Sequence, residues 1–272
     1  MNSESHARAS TRQLIIENYQ KRWLRGAVIT ALVFLIVGGS AYHSGLLDFR
    51  RLAAGVPSIF GLLAEMWPPD FGQARTWLKP LADTLSMSLA GTLLAVLFSC
   101  PLAMLAARNT SPHPAAYFAA RGLLNLLRAI PELIMGIVLV AAVGFGMLPG
   151  VLALGLHSVG MVGKFYAEAL EQVDPGPVEA VRSVGAAPLQ VIWFGMLPQI
   201  LPLLANVTIY RWEFHFRAST VMGMVGAGGI GFELIGSLRI MQYREVSAIL
   251  VVILVTVAMM DAFSSALRKR LK

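Results

Sequence analysis

The chain has 272 residues, 56% of them hydrophobic and only 14% charged, with a mean hydropathy of +0.66. A soluble domain carries about 25% charged residues, so this composition excludes a water-facing fold and makes lipid the solvent. The net charge of +7 and pI near 9.9 then belong to Lys and Arg flanking membrane spans rather than to nucleic-acid binding. The single cysteine, Cys100, excludes an internal disulfide and a Cys-based metal site.

Residues 1–25 are polar and basic, with Arg8, Arg12, Lys21, Arg22 and Arg25, and an apolar run follows from Gly26 to Tyr42. Gly38-Gly39-Ser40-Ala41 faintly resembles a signal cleavage site. The basic segment is long for a signal peptide and the sequence starts at Met1, so the run is expected to be an uncleaved first span. Residues 43–80 form a connector with Pro57, Pro68, Pro69 and Pro80 and an amphipathic stretch, Val56–Met66, that suits a membrane surface. A second span is predicted from Asp83 to Ala107, and Arg108 to Pro114 is a turn. The third span is predicted over Leu123–Val143, the fourth over Val151–Ala169, the fifth over Pro198–Val221 and the sixth over Ser247–Leu267. A glycine-rich segment joins the last two and runs to Gly236. The reading is an all-α membrane protein of about six transmembrane helices. Lys and Arg in short flanks favour both termini on the cytoplasmic side, which an even number of spans satisfies. The tail Arg268, Lys269, Arg270 and Lys272 belongs to that bias.

The segment Asp174 to Pro188 is too polar to span. Asp174 can cap a helix, Pro175 fits its first turn, and Gly185 can take the positive φ that ends it. Pro188 then opens the next helix. A short helix on the cytoplasmic face is therefore expected, either as a docking elbow or as an ordinary well-capped loop. The segment resembles the EAA loop of ABC-importer permeases: Glu-Ala-Ala, three residues, Gly, nine residues, then Ile-x-Leu-Pro. Here Glu179-Ala180-Val181, Gly185 and Gly195-Met196-Leu197-Pro198 keep that spacing, with Val181 and Gly195 departing from it.

Further stretches narrow the resemblance. They are Arg128-Ala129-Ile130-Pro131-Glu132-Leu133, Val151 to Gly160, Gly163 to Glu171, Arg217 to Gly223 and Val225 to Gly231. Together they resemble the permease of phosphonate- and phosphite-type ABC importers over residues 81–270. Met135-Gly136 departs from the family's usual residues at a place that bears on substrate choice. The resemblance implies a type I importer permease fold. It divides the chain into residues 1–80, holding the N-terminus, first span and external connector, and a permease domain over 81–270 with its EAA loop near 174–198. It implies that Glu179, Ala180, Arg182 and Gly185 couple to an ATPase. It also implies a homodimer, two cytoplasmic ABC ATPase subunits, a periplasmic substrate-binding protein, and the bacterial inner membrane as location.

Charged residues inside spans are functional candidates by default. Arg211, Glu213, His215 and Arg217 lie on the fifth span, and Glu213 and Arg217 are spaced to share a face. For Arg211 and Glu213 a structural ion pair is expected. Arg217 with Ser219 and Thr220 offers donors to an oxyanion. Asp261 is expected to be paired or interfacial, Glu132 to cap its helix, and His157 to be packed or hydrogen-bonded. Gly226-Ala227-Gly228-Gly229-Ile230-Gly231 satisfies G-x-G-x-x-G but lies between spans, outside any βαβ unit, which excludes dinucleotide binding. Gly226, Gly228 and Gly229 read either as a tight re-entrant turn or as a mobile gate whose bare N–H groups face an anion. No metal spacing, catalytic pair or Walker A loop is present in the sequence. No cofactor, metal or nucleic acid is expected, no catalysis by this chain, and ATP is expected on a partner subunit. The rivals are a self-contained secondary transporter or channel, or an ABC permease for another solute such as methionine.

Overall fold

The computed structural model describes residues 3–270, and side chains at Tyr19 and from Lys21 to Arg270. The side chains of Arg8 and Arg12, and Lys272 of the basic tail, lie outside the described residues. Two compact units meet in the chain between Ala64 and Glu65.

The first unit holds α1 (Ser3–His43) and most of α2 (Phe49–Glu65). Within α1, Lys21–His43 is long and apolar enough to cross a membrane. In α2, Phe49, Leu52, Ala53, Val56, Ile59, Phe60 and Leu63 recur at helical spacing on one face.

The second unit contains α3 (Leu78–Ala106), α4 (Pro114–Ala129), α5 (Glu132–Val143), α6 (Met147–Glu171), α7 (Pro175–Ser183), the single turn α8 (Pro188–Gln190), α9 (Leu197–Met222), α10 (Ile230–Arg239) and α11 (Tyr243–Arg270). Two π-helical stretches, Val191–Met196 and Gly223–Ala227, flank α9. With Lys21–His43, four further helical segments can cross a membrane, and the bent pair α4–α5 is long and apolar enough for a sixth span when its two arms are taken together. All described elements are helical, as lipid demands of any span that is not a closed barrel.

α6 is the hub, packing on α3, α4, α5 and α9. No hydrophobic driving force pulls helices together in lipid, so small residues must let backbones approach. α3 buries Gly91, Thr92, Ala95, Ser99 and Ala103. The partner face of α6 buries Gly155, Ser158, Val159 and Val162. A Cβ on Gly155 would lie 2.5 Å from Leu94, so glycine there lets α3 come close.

The third span departs from expectation. The sequence predicts one span over Leu123–Val143, but α4 and α5 meet at an 85° bend. Pro131 lacks the N–H that would continue α4 and drives Ile130 into an extended conformation, φ −84° and ψ 120°. The glycine-rich segment is also shorter than expected, because α10 begins at Ile230.

Candidate functional site

At one end of the second unit, α6 leads into the elbow. The Asp174 carboxylate accepts from the Gly176 N–H at 2.9 Å, capping α7, and Pro175 occupies its first turn. Gly185 ends the elbow with φ +80°. Gln199 braces the start: its Oε1 accepts from the Asp174 N–H at 3.0 Å, and its Nε2 donates to the Gly195 carbonyl at 2.6 Å. Val178 is buried beneath α7, 3.3 Å from where a Gly195 Cβ would stand. Glycine at the departing Ile position thus lets the elbow sit tightly on the π-helical stretch. Glu179, Ala180, Arg182, Val184 and Gly185 all face outward and are exposed. The capped helix is thereby anchored on one side and free on the other.

The residues singled out on α9 do not converge. Arg217 donates to Glu213 at 3.0 Å, as their spacing predicts, and lies 3.7 Å from Asp261 on α11. Glu213 also accepts from Arg268 at 3.2 Å. The result is a chain of alternating charge, Arg268–Glu213–Arg217–Asp261, that ties α9 to α11. Ser219 points elsewhere: fully buried, it donates to backbone carbonyls of Phe216 and Thr84. Thr220 donates to the Arg217 carbonyl at 2.6 Å. Both hydroxyl protons are engaged by the backbone; Ser219 is buried, while Arg217 and the Thr220 hydroxyl remain at the surface.

Gly226, Gly228 and Gly229 have φ of +103°, +80° and +77°. The loop they form is pinned to α3, where the Thr84 hydroxyl accepts from the Ile230 N–H at 2.9 Å and donates to the Pro80 carbonyl. It is also pinned to the start of α6, where the Gly146 N–H donates to the Gly226 carbonyl at 3.1 Å.

Sequence reasoning missed a buried polar chain through the helix core. Arg211 Nε donates to Ser158 Oγ at 2.7 Å. Ser158 Oγ then has its own proton for His215 Nε2. This leaves His215 Nδ1–H to donate to Thr92 Oγ1 at 2.7 Å, and Thr92 donates to the Ser88 carbonyl at 2.7 Å. The direction of each bond follows from the last, so His215 is the Nδ1–H tautomer. Arg211 also approaches Glu132, at 3.9 Å. Glu132 therefore turns away from capping α5, whose N-terminus has no side-chain cap. His157 Nδ1 is hydrogen-bonded to the Ile130 carbonyl at 3.0 Å, as expected of a packed histidine. Arg211 and His215 were visible in the sequence as ionisable residues inside a span, but their partners Ser158 and Thr92 were not.

A bundle of membrane-crossing helices around one hub, with a capped helix presented at one end, defines a membrane permease. Residues 99–272 match the family of binding-protein-dependent transport system inner membrane components, and the chain belongs to that family. It is 60% identical over 264 residues to a phosphite transport system permease protein of Stutzerimonas stutzeri, covering 97% of this chain and 96% of that one. It is 44% identical over 225 residues to a phosphate-import permease protein of Mycolicibacterium smegmatis, 82% of this chain and 42% of the other. Among solved structures, an inward-facing MetNI methionine ABC transporter matches with a TM-score of 0.62 at 22% identity, covering 74% of this chain and 99% of its counterpart. The fold is accordingly that of a type I ABC-importer permease, as the EAA-like spacing implied.

Proposed function

We propose that the chain is the membrane permease of an ATP-driven importer that carries phosphite or a related phosphorus oxyanion across the bacterial inner membrane. The identity of 60% across nearly the whole of both chains, to a protein described as a phosphite permease, is the observation that carries this reading. Glu179, Ala180, Arg182 and Gly185 face a cytoplasmic ATPase, which binds and hydrolyses the ATP. A periplasmic protein delivers the substrate, both termini lie in the cytoplasm, and two copies of this chain form the pore. Closure of the ATPases on ATP drives the elbows together and rocks the spans outward.

Purified permease in liposomes should move no phosphite alone. Uptake is expected only when the ATPase, ATP and a phosphite-binding protein are all present. Uptake by the isolated chain on an ion gradient would overturn the reading in favour of a secondary transporter.

Gly185 tests the elbow. No atom lies within 4 Å of a Cβ placed there, so a substitution meets backbone strain alone. A β-branched residue held at φ +80° costs about 1–2 kcal/mol. Gly185→Val should therefore leave the spans folded while lowering ATPase association and uncoupling hydrolysis from uptake. Gly185→Asn, which tolerates the left-handed region, should retain most coupling. Wild-type ATPase stimulation and uptake in Gly185→Val would remove the elbow from the coupling path.

A further inference from the structure

The break between α4 and α5 lies beside the middle of α6. Gly160, halfway along the 25-residue α6, faces it: a Cβ there would lie 2.8 Å from the Arg128 backbone nitrogen and 3.0 Å from the Arg128 Cβ. The Ile130 carbonyl is bonded to His157, on the next turn of α6. A helix of this length covers about 37 Å, so the break lies on the order of 15 Å from either end of α6.

Three features meet at the break. Arg128, in the last turn of α4, is exposed and makes no side-chain hydrogen bond or ion pair among the described residues. The N-terminus of the 12-residue α5 has no side-chain cap, and its leading N–H groups have no partner within their own helix. Arg211, whose side chain is only 4% exposed, directs Nη2 at the first residue of α5, Glu132, yet neither Nη2 nor Glu132 Oε2 has a hydrogen-bond partner. A gap of 3.9 Å is too long for a hydrogen bond. The charges sum to one net positive: Arg128 and Arg211 against Glu132.

An exposed guanidinium and uncapped amides cannot face hydrocarbon; within a span they must face a polar path or protein that satisfies them. Discontinuous helices whose N-termini meet at mid-membrane are a known way to hold anionic substrate groups. We propose that the α4–α5 break is an oxyanion site on the translocation path, formed by Arg128 and the N-terminus of α5, with Arg211 held behind Glu132 as a buried second positive charge. This rests on the importer reading above, and deepens it by giving the anion a site at the break, inside the helix bundle. Arg128 supplies two parallel donors to a tetrahedral phosphorus oxyanion, and the amides of α5 supply others along the helix dipole. Movement of α5 during alternating access, which shifts Glu132 relative to Arg211, changes how much positive charge the anion meets.

The complete transporter in proteoliposomes tests the site. Arg128→Gln should keep folded yield within about twofold of wild type while phosphite uptake falls about tenfold or more, as expected on losing a charge-assisted donor pair. Arg128→Lys should fall between them, because it keeps the charge and loses the fork. Wild-type uptake by Arg128→Gln overturns the proposal. If Arg128→Gln folds poorly, Arg128→Cys in a Cys100→Ala background decides. Reaction with a membrane-impermeant charged thiosulfonate supports the site, and failure to react while an exposed elbow cysteine reacts overturns it. Failure of wild-type transporter to take up either phosphite or methylphosphonate would instead count against the importer reading, and the labelling would still report whether position 128 faces water.

Discussion

Replacing Gly231 with alanine is expected to abolish folding of the permease, although it adds only one methyl group. Gly231 lies in the first turn of α10, where that helix crosses the end of α9. A Cβ there would overlap the carbonyl oxygen of Thr220 and stand 2.8 Å from its carbon. The obstruction is backbone, so no side chain can swing aside. The crossing is tight from the other side too, since a Cβ on Gly223 would lie 2.9 Å from the Gly231 Cα. Overpacking a core typically costs about 1–3 kcal/mol, and a clash with an immovable carbonyl belongs at or above the top of that range. The control lies on the same helix: a Cβ on Gly236 meets nothing within 4 Å. Gly236→Ala should therefore be neutral, or gain about 0.5 kcal/mol from helix propensity. Size-exclusion profiles of detergent-extracted protein will separate the two. Equal monodisperse yields would show that α9 and α10 do not cross at these glycines.

The second large effect is an asymmetry within an ion-pair chain. Glu213→Ala should be far more damaging than Arg217→Ala. Removing Arg217 leaves Glu213 still paired with Arg268 at 3.2 Å. Removing Glu213 strands Arg268 and leaves Arg217 with only the longer contact to Asp261, 3.7 Å. Breaking a buried pair by deleting one partner costs about 3–5 kcal/mol. Because the side chain of Glu213 is only 10% exposed while those of Arg217 and Arg268 are 44% and 25% exposed, the loss should fall near the low end. Adding Arg217→Ala to Glu213→Ala removes one orphaned charge and should restore part of the melting temperature. Transport measured separately then assigns Arg217. If yield and uptake both return in the double variant, Arg217 only fastens α9 to α11. If yield returns without uptake, Arg217 also serves the anion. Equal melting temperatures for the two single variants would contradict the chain as drawn.

How far the sequence could be read follows from the range of the interactions. Spans and elbow were legible because they depend on local terms. Hydropathy marks helices that must satisfy their own backbone in lipid, and Asp174, Pro175 and Gly185 each act within a few residues of themselves. The Glu213–Arg217 pair was legible for the same reason, being one helical turn apart. Arg268 and Asp261, which complete that pair's network, are long-range partners that no local pattern announces. Thr92, Ser158 and His215 come from three helices and form one chain only after packing, so His215 stood out without its partners and the two hydroxyls looked incidental. Pro131 was plainly visible, yet averaging hydropathy across it yields one continuous apolar segment. The 85° bend depends on α6 being there to receive the freed groups.

That dependence fixes an order of events during biogenesis. At 12 residues, α5 is too short to cross a bilayer by itself. A bend at Ile130 would expose the carbonyls ending α4 and the amides opening α5 to acyl chains, which offer them no partner. Until α6 arrives, the groups freed at Pro131 have no partner on α6 and must be satisfied by water or by other protein. Only after α6 has followed α5 into the membrane can His157 take up the Ile130 carbonyl. Glu132 finds its counter-charge still later, once α9 has been synthesised and brought Arg211. The middle of the bundle is thus completed by segments translated downstream. A released chain that ends before residue 157 would lack the partner that the Ile130 carbonyl finds on α6.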